Sequence, residues 1–200
     1  DVLPNPTPAR SSSDNPYVGP RSFSREQAHL YFGREQESEE LFSRVVSQRL
    51  VLFYAQSGAG KSSLINTQLI PRLEVAGFVV LPVGRVGGDL HQGMQEAVDN
   101  IYLFNLMLNL DQSQDHPVRF AHLKLTDFLG NLTSEDGKRW LYESGDSAQR
   151  APQPALQTPN YVLIIDQFEE IFTSHNERWR EREEFFRELN AAMMADPSLW

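Results

Sequence analysis

The sequence predicts an α/β fold, a parallel sheet flanked by helices, and three observations carry that prediction. Short apolar runs of strand type alternate with stretches of helical periodicity. A glycine-rich turn, Gly58-Ala59-Gly60, joins one such run to one such helix, and a later run, Tyr161–Ile165, ends on an acid, Asp166. With 200 residues, 40% of them hydrophobic, the chain can bury one sizeable core.

Asp1 to Pro16 is rich in proline, serine and asparagine and reads as a linker or disordered arm, which leaves 17–200 as the folded part. A block of aromatic, glycine and arginine residues follows, Tyr17-Val-Gly-Pro-Arg-Ser-Phe23 and Tyr31-Phe-Gly-Arg-Glu35. From Glu35 to Arg49, Leu41, Phe42, Val45 and Val46 recur at helical spacing, with acids in the first turns where the helix dipole favours them. Leu50-Val-Leu-Phe-Tyr54 predicts a strand buried on both faces. Lys61 to about Leu73 predicts a helix with Ile65, Leu69 and Leu73 on one face, ended or kinked by Pro71.

Phe78–Val83 predicts a second strand, and Met94–Leu110, apolar nearly all round, a buried helix. From Asp111 to Pro159 the pattern is faint: a short helix around Val118–Leu129, then a polar loop from Ser144 to Pro159. Tyr161–Ile165 is the third strand. The last helix spans Glu177–Ala195, with Trp179, Phe186, Leu189 and Met193 as its core-facing stripe.

A net charge of -9 argues against a general nucleic-acid or membrane-surface binder, since phosphate backbones attract basic faces. No apolar run approaches the ~18–20 residues of a membrane span. Neither a membrane nor direct nucleic-acid contact is therefore expected. The absence of cysteine excludes a disulfide framework and thiolate metal sites, and it agrees with the cytoplasmic location we expect. His29, His91, His116, His122 and His175 lack metal-ligand spacing. The opening Asp1-Val-Leu-Pro has neither methionine nor a signal-peptide pattern, so an upstream segment is expected.

Ala55-Gln56-Ser57-Gly58-Ala59-Gly60-Lys61-Ser62-Ser63 matches the phosphate-loop pattern except at its first glycine, here Ala55. Backbone N–H groups must wrap a phosphate concavely, which calls for glycine where φ is positive or a side chain would collide. Lys61 supplies a cation for the β- and γ-phosphates, Ser62 a hydroxyl for Mg2+, and the following helix its positive N-terminus. In a parallel sheet, ligands collect at the carboxyl ends of strands, which brings Asp166 beside this loop as a second magnesium ligand. Glu169 or Glu170 is then placed to orient a water for attack on the γ-phosphate. Gly33-Arg34-Glu35 either walls the adenine or ribose or simply starts a helix, and Arg85 reads more readily as a solvated loop residue than as a contact to the γ-phosphate or a neighbouring subunit.

A GTPase uses the same loop, but the Asp-x-x-Gly it needs is absent, because Glu169 stands where the glycine would be. The guanine reader Asn-Lys-x-Asp is missing too: the lysines are Lys61, Lys124 and Lys138, none in that context. ATP with Mg2+ is the expected ligand pair; a GTPase-like module and a degenerate phosphate-loop scaffold for protein contacts are the alternatives.

Asn15-Pro-Tyr17-Val-Gly-Pro-Arg-Ser-Phe23, Phe32-Gly-Arg-Glu35, Gln56–Leu64 and Leu69-Ile-Pro-Arg-Leu73 resemble the entry region of the STAND NTPases, and more closely their bacterial "novel STAND" branch. Ile164-Ile-Asp166-Gln-Phe-Glu-Glu170-Ile-Phe172 is similar to that branch's acidic motif. The resemblance implies a three-layer P-loop NTPase of the AAA+/NACHT-like kind, with 17–200 as the N-terminal part of the domain. It implies a switch that binds ATP or ADP, self-oligomerises, and links an upstream effector to a downstream sensor domain, often in prokaryotic defence. It places Lys61 on phosphates, Ser62 and Asp166 on Mg2+, Glu169 or Glu170 on water, and Gly33-Arg34 near the nucleotide. The family also carries a further strand with a sensor arginine after the helix that ends near Ala195. The chain is therefore expected to be an incomplete fragment of the domain, able to bind ATP rather than to hydrolyse it efficiently.

Overall fold

The computed structural model describes residues 21–90, 97–113, 117–136, 138–143 and 159–200. The expected arm at 1–16, the start of the 94–110 helix, most of the 144–159 loop, His91 and His116 lie outside the described residues. The elements alternate as the apolar pattern requires, with α1 Glu35–Ser47, α2 Lys61–Leu64, α3 Ile70–Val75, β1 Val79–Val80 and α4 Ile101–Leu110 in the first half. The second half holds α5 Leu125–Gly130, β2 Leu132–Thr133, β3 Leu141–Tyr142, β4 Tyr161–Val162, α6 Glu170–Thr173 and α7 Glu181–Ala195.

β1 and β4 pair in parallel, Val79 opposite Tyr161 and Val80 opposite Val162, and a bridge from Gly84 to Ile165 extends the pairing. Val79 and Leu81 donate to Asn160 and Val162, but the next donor to Ile164 is Gly84 rather than Val83. The extra residue falls where Pro82 has no N–H to give, and it forms a bulge. Strand alternation then divides the core in two. Val79, Leu81, Tyr161, Leu163 and Ile165 face α4, α5 and α7, while Phe78, Val80, Val162 and Ile164 face Leu41, Leu64, Ile65, Leu69 and Leu73. Both faces of the pair are covered by helices, so these short runs are apolar at every position. β2 and β3 form a small antiparallel hairpin that the sequence pattern did not predict.

Four expectations need correction. Leu50–Tyr54 forms no ladder among the described residues and is not buried on both faces: Val51 and Phe53 pack on the second core, while Leu50, Leu52 and Tyr54 are 70%, 72% and 82% exposed. Of the two outcomes expected at Pro71, an end or a kink, the helix does not end there, and the irregularity takes the form of a π turn just before it. Ile65–Leu69 takes a π turn in which Ile70 N–H bonds Ile65 O, so the missing Pro71 N–H falls where the ladder has already shifted. The helix after Asn100 starts at Ile101, because the Asn100 side chain accepts from Tyr102 and Leu103 N–H and caps it there. The last helix begins at Glu181, after a separate 3-10 turn at Asn176–Arg178, and its buried side is Phe185 and Ala192. Trp179 and Phe186, placed in the core by periodicity, are 58% and 43% exposed.

The 118–129 region divides into a 3-10 turn, Pro117–Phe120, and α5. Ser198–Trp200 run beside β4: Tyr161 N–H donates to Ser198 O, Trp200 N–H to Tyr161 O, and Leu163 N–H to Trp200 O. Arg49, at the end of α1, clamps this end by donating from Nη2 to the carbonyls of Met193 and Leu199. Among the described residues no helix is long and apolar enough to cross a membrane.

Candidate functional site

Gly58 and Gly60 adopt φ of 77° and 80°, the left-handed region that a side chain resists, and Gly60 caps α2 in that conformation. The turn is closed by one bond, Ala59 N–H to Gln56 O. Helical bonding resumes only at Leu64 N–H to Gly60 O. Among the described residues the N–H groups of Gly58, Gly60, Lys61, Ser62 and Ser63 make no backbone hydrogen bond, as the first turn of a helix requires. Lys61 folds back over the loop, its Nζ 3.0 Å from Ala55 O.

Two predicted magnesium ligands meet here. Ser62 Oγ donates to Asp166 Oδ2 at 2.7 Å, and Asp166, 7% exposed, is fixed by its own N–H to Gly84 O. Arg85 Nη2 lies 3.9 Å from the same carboxylate oxygen. The residue after Asp166, Gln167, has φ of 54°, an uncommon conformation for a residue with a Cβ, and this sharp turn starts the path into α6. The two glutamates that follow it differ in their surroundings. Glu169 is exposed, whereas the Glu170 carboxylate packs on the Arg85–Gly88 loop, so close that a Cβ on Gly87 would lie 2.0 Å from its Oε2.

The entry block lies on the phosphate loop. Phe23 N–H donates to Ser63 Oγ, so the Ser63 hydroxyl faces the entry segment, and Asn66 Nδ2 lies 3.4 Å from Phe23 O. Gly33 takes φ of 84° and donates to Glu35 Oε1, while Arg34 Nη1 donates to Ala59 O at 3.1 Å. Tyr31 Oη would sit 3.3 Å from a Cβ on Gly60, and burial pushes its phenol up. Gln56 and Ser57 are exposed at the crest of the loop. The structure thus gathers Gly33, Arg34, Gln56–Ser63 and Asp166 at one place, with Glu170 one loop away. A cavity of about 340 Å³ lined by Leu81, Trp140, Tyr161 and Ala192 contains none of these residues.

Residues that the sequence reasoning passed over also shape this place. Asn105, 5% exposed within apolar α4, donates to Val86 O and Gly88 O. His175 Nε2 is 2.8 Å from Gly88 O. A buried amide in an otherwise apolar helix and the Gly87-Gly88 pair after a strand were the available signals.

A glycine turn feeding a helix, with a serine from that helix bonded to a buried strand-end aspartate, is the arrangement expected of phosphate-loop nucleotide-binding proteins. The chain belongs to the Novel STAND NTPase 1 family, whose model matches residues 16–199. No curated protein and no solved structure matches it.

Proposed function

We propose that this chain is the ATP–Mg-binding core of a signal-transduction switch ATPase, in which nucleotide state and ligand sensing control oligomerisation and effector activation. The observation that carries the reading is the Ser62–Asp166 hydrogen bond at the mouth of the glycine turn. The residues fit the ligand: free N–H groups line a turn whose Gly58 has open space where a Cβ would be, a lysine folds over it, and two oxygen donors meet beside it. Mg2+ suits such a hard-oxygen pair, and it supplies charge neutralisation between phosphate oxygens.

In this reading the backbone of Gln56–Ser63 cradles the inner phosphates and Lys61 reaches outward along them. Ser62 and Asp166 hold the cation. Arg34, tied to the Ala59 carbonyl, and Gly33 form the wall on the nucleoside side. Of the two glutamates, Glu170 is favoured for orienting water, since packing on Gly87 fixes its carboxylate while Glu169 is exposed. Helices on both faces of the β1–β4 pair support a three-layer P-loop domain of the AAA+/NACHT-like kind, with 17–200 as its N-terminal part. An upstream effector, a downstream sensor and a role in prokaryotic defence follow the bacterial STAND plan and belong to the same proposal.

Titration of ATP–Mg and GTP–Mg into the chain and into Lys61→Ala and Asp166→Ala tests it. Tight ATP binding that both substitutions weaken supports the switch ATPase. Equal affinity for GTP would turn the reading to a GTPase-like module, and no binding of either nucleotide to a phosphate-loop scaffold. Hydrolysis by Glu169→Gln and Glu170→Gln assigns the water, and sizing with and without ATP–Mg tests self-assembly.

A further inference from the structure

The loop that leaves β1 is held more firmly than a solvent loop needs to be. Buried Asn105 donates to the carbonyls of Val86 and Gly88 at 3.2 and 3.1 Å, and the His175 ring meets Gly88 O at 2.8 Å. Val86 is fully buried, and Cβ atoms on Gly84 and Gly87 would lie 2.3 Å from Leu106 and 2.0 Å from Glu170. On this fixed backbone stands Arg85, its side chain 47% exposed and its Nη2 3.9 Å from Asp166 Oδ2. That distance is at the outer edge of an ion pair, and the Ser62 hydroxyl at 2.7 Å is the closer partner of the same oxygen.

We propose that Arg85 reads the terminal phosphate and makes the site prefer a nucleoside triphosphate to a diphosphate, an inference that rests on the ATP–Mg reading above. A divalent cation held by Ser62 and Asp166 neutralises the carboxylate that now attracts Arg85 and repels the guanidinium. The phosphate that shares this cation is then its natural partner, and a planar guanidinium matches phosphate oxygens in pairs. The glycine turn cradles the inner phosphates from its backbone, whereas the metal side of such a site lies against the outer ones. The pinned backbone keeps Arg85 beside Asp166. A diphosphate therefore fills the cradle and leaves Arg85 without a phosphate to hold.

Calorimetric titration of ATP–Mg and ADP–Mg into the full chain, Arg85→Ala and Arg85→Lys tests this. Arg85→Ala should lose roughly tenfold or more in ATP–Mg affinity, the range of a charge-assisted bond, with ADP–Mg affinity little changed. Arg85→Lys should recover part of the ATP preference, and the exposed side chain makes an unchanged thermal midpoint the expected control. Parallel loss of ATP and ADP affinity, or no loss of either, overturns the role of Arg85 while the nucleotide site stands. Failure of the unaltered chain to bind either nucleotide overturns both readings together.

Discussion

Ser62 Oγ hydrogen-bonds Asp166 Oδ2 at 2.7 Å, joining the first turn of α2 to the end of the β4 segment across 104 positions of sequence. The carboxylate is nearly buried, with one close donor and one distant cation, a poor return for its desolvation. Asp166→Asn should therefore leave the thermal midpoint unchanged or raise it, while ATP binding becomes insensitive to removal of Mg2+ by a chelator. Thermal unfolding together with titrations in Mg2+ and in EDTA checks this, and retained magnesium dependence would count against Asp166 as a ligand.

Lys61 makes its contacts with exposed loop carbonyls, Ala55 O at 3.0 Å and Gln56 O at 3.5 Å. Lys61→Ala should change unfolding free energy by less than about 0.5 kcal/mol. ATP affinity should fall by roughly tenfold or more, because a charge-assisted phosphate contact is lost. Urea unfolding and nucleotide titration of the same sample separate the two effects.

Gly87→Ala puts a methyl group onto the Glu170 carboxylate. Overpacking of this kind costs about 1–3 kcal/mol. Shortening the obstacle should restore the loss, so Gly87→Ala combined with Glu170→Ala should be more stable than the sum of the single changes allows. Simple additivity in chemical unfolding would mean that the two residues do not touch.

Asp111 is 6% exposed and accepts from Ser113 Oγ, Tyr142 N–H and Arg119 Nη2. Burial pushes its carboxyl up, but these bonds together outweigh burial and hold it below the usual carboxylate value. A depressed folded-state pKa stabilises above the unfolded value, about 3.9, and that contribution is lost as pH falls through the folded one. Asp111→Asn should cost about 2–4 kcal/mol at pH 7. The gap to the unaltered chain should close below about pH 4. Urea unfolding across this range decides, and a gap that stays constant with pH would refute the assignment.

Leu52 and Leu64 look alike in hydropathy, yet Leu52 is 72% exposed and Leu64 fully buried. Leu64→Ala should cost about 2–5 kcal/mol, and Leu52→Ser less than about 0.5 kcal/mol. A large loss for Leu52→Ser would show that the face formed by Leu50, Leu52 and Tyr54 is covered in solution.

What the amino-acid sequence determined by itself was local: the left-handed glycines of the phosphate loop, the Ile65–Leu69–Leu73 helix face, and an acid after a run of apolar strand residues. Each depends on the sign of φ, a spacing or a short run, which neighbouring residues specify. Phase and long-range approach were not legible. Adjacent helix residues differ by about 100° around the axis, and the stripe read from the sequence, Trp179, Phe186, Leu189 and Met193, put Phe186 inside where Phe185 is the buried one. The docking of α7 on α4 and α5 decided for Phe185. Only the tertiary structure set Glu170 under Gly87, tied Arg34 to Ala59, and let Asn105 pin the loop that carries Arg85. These contacts join residues 17 to 83 positions apart, and their geometry comes from how packed elements meet, which no local pattern encodes.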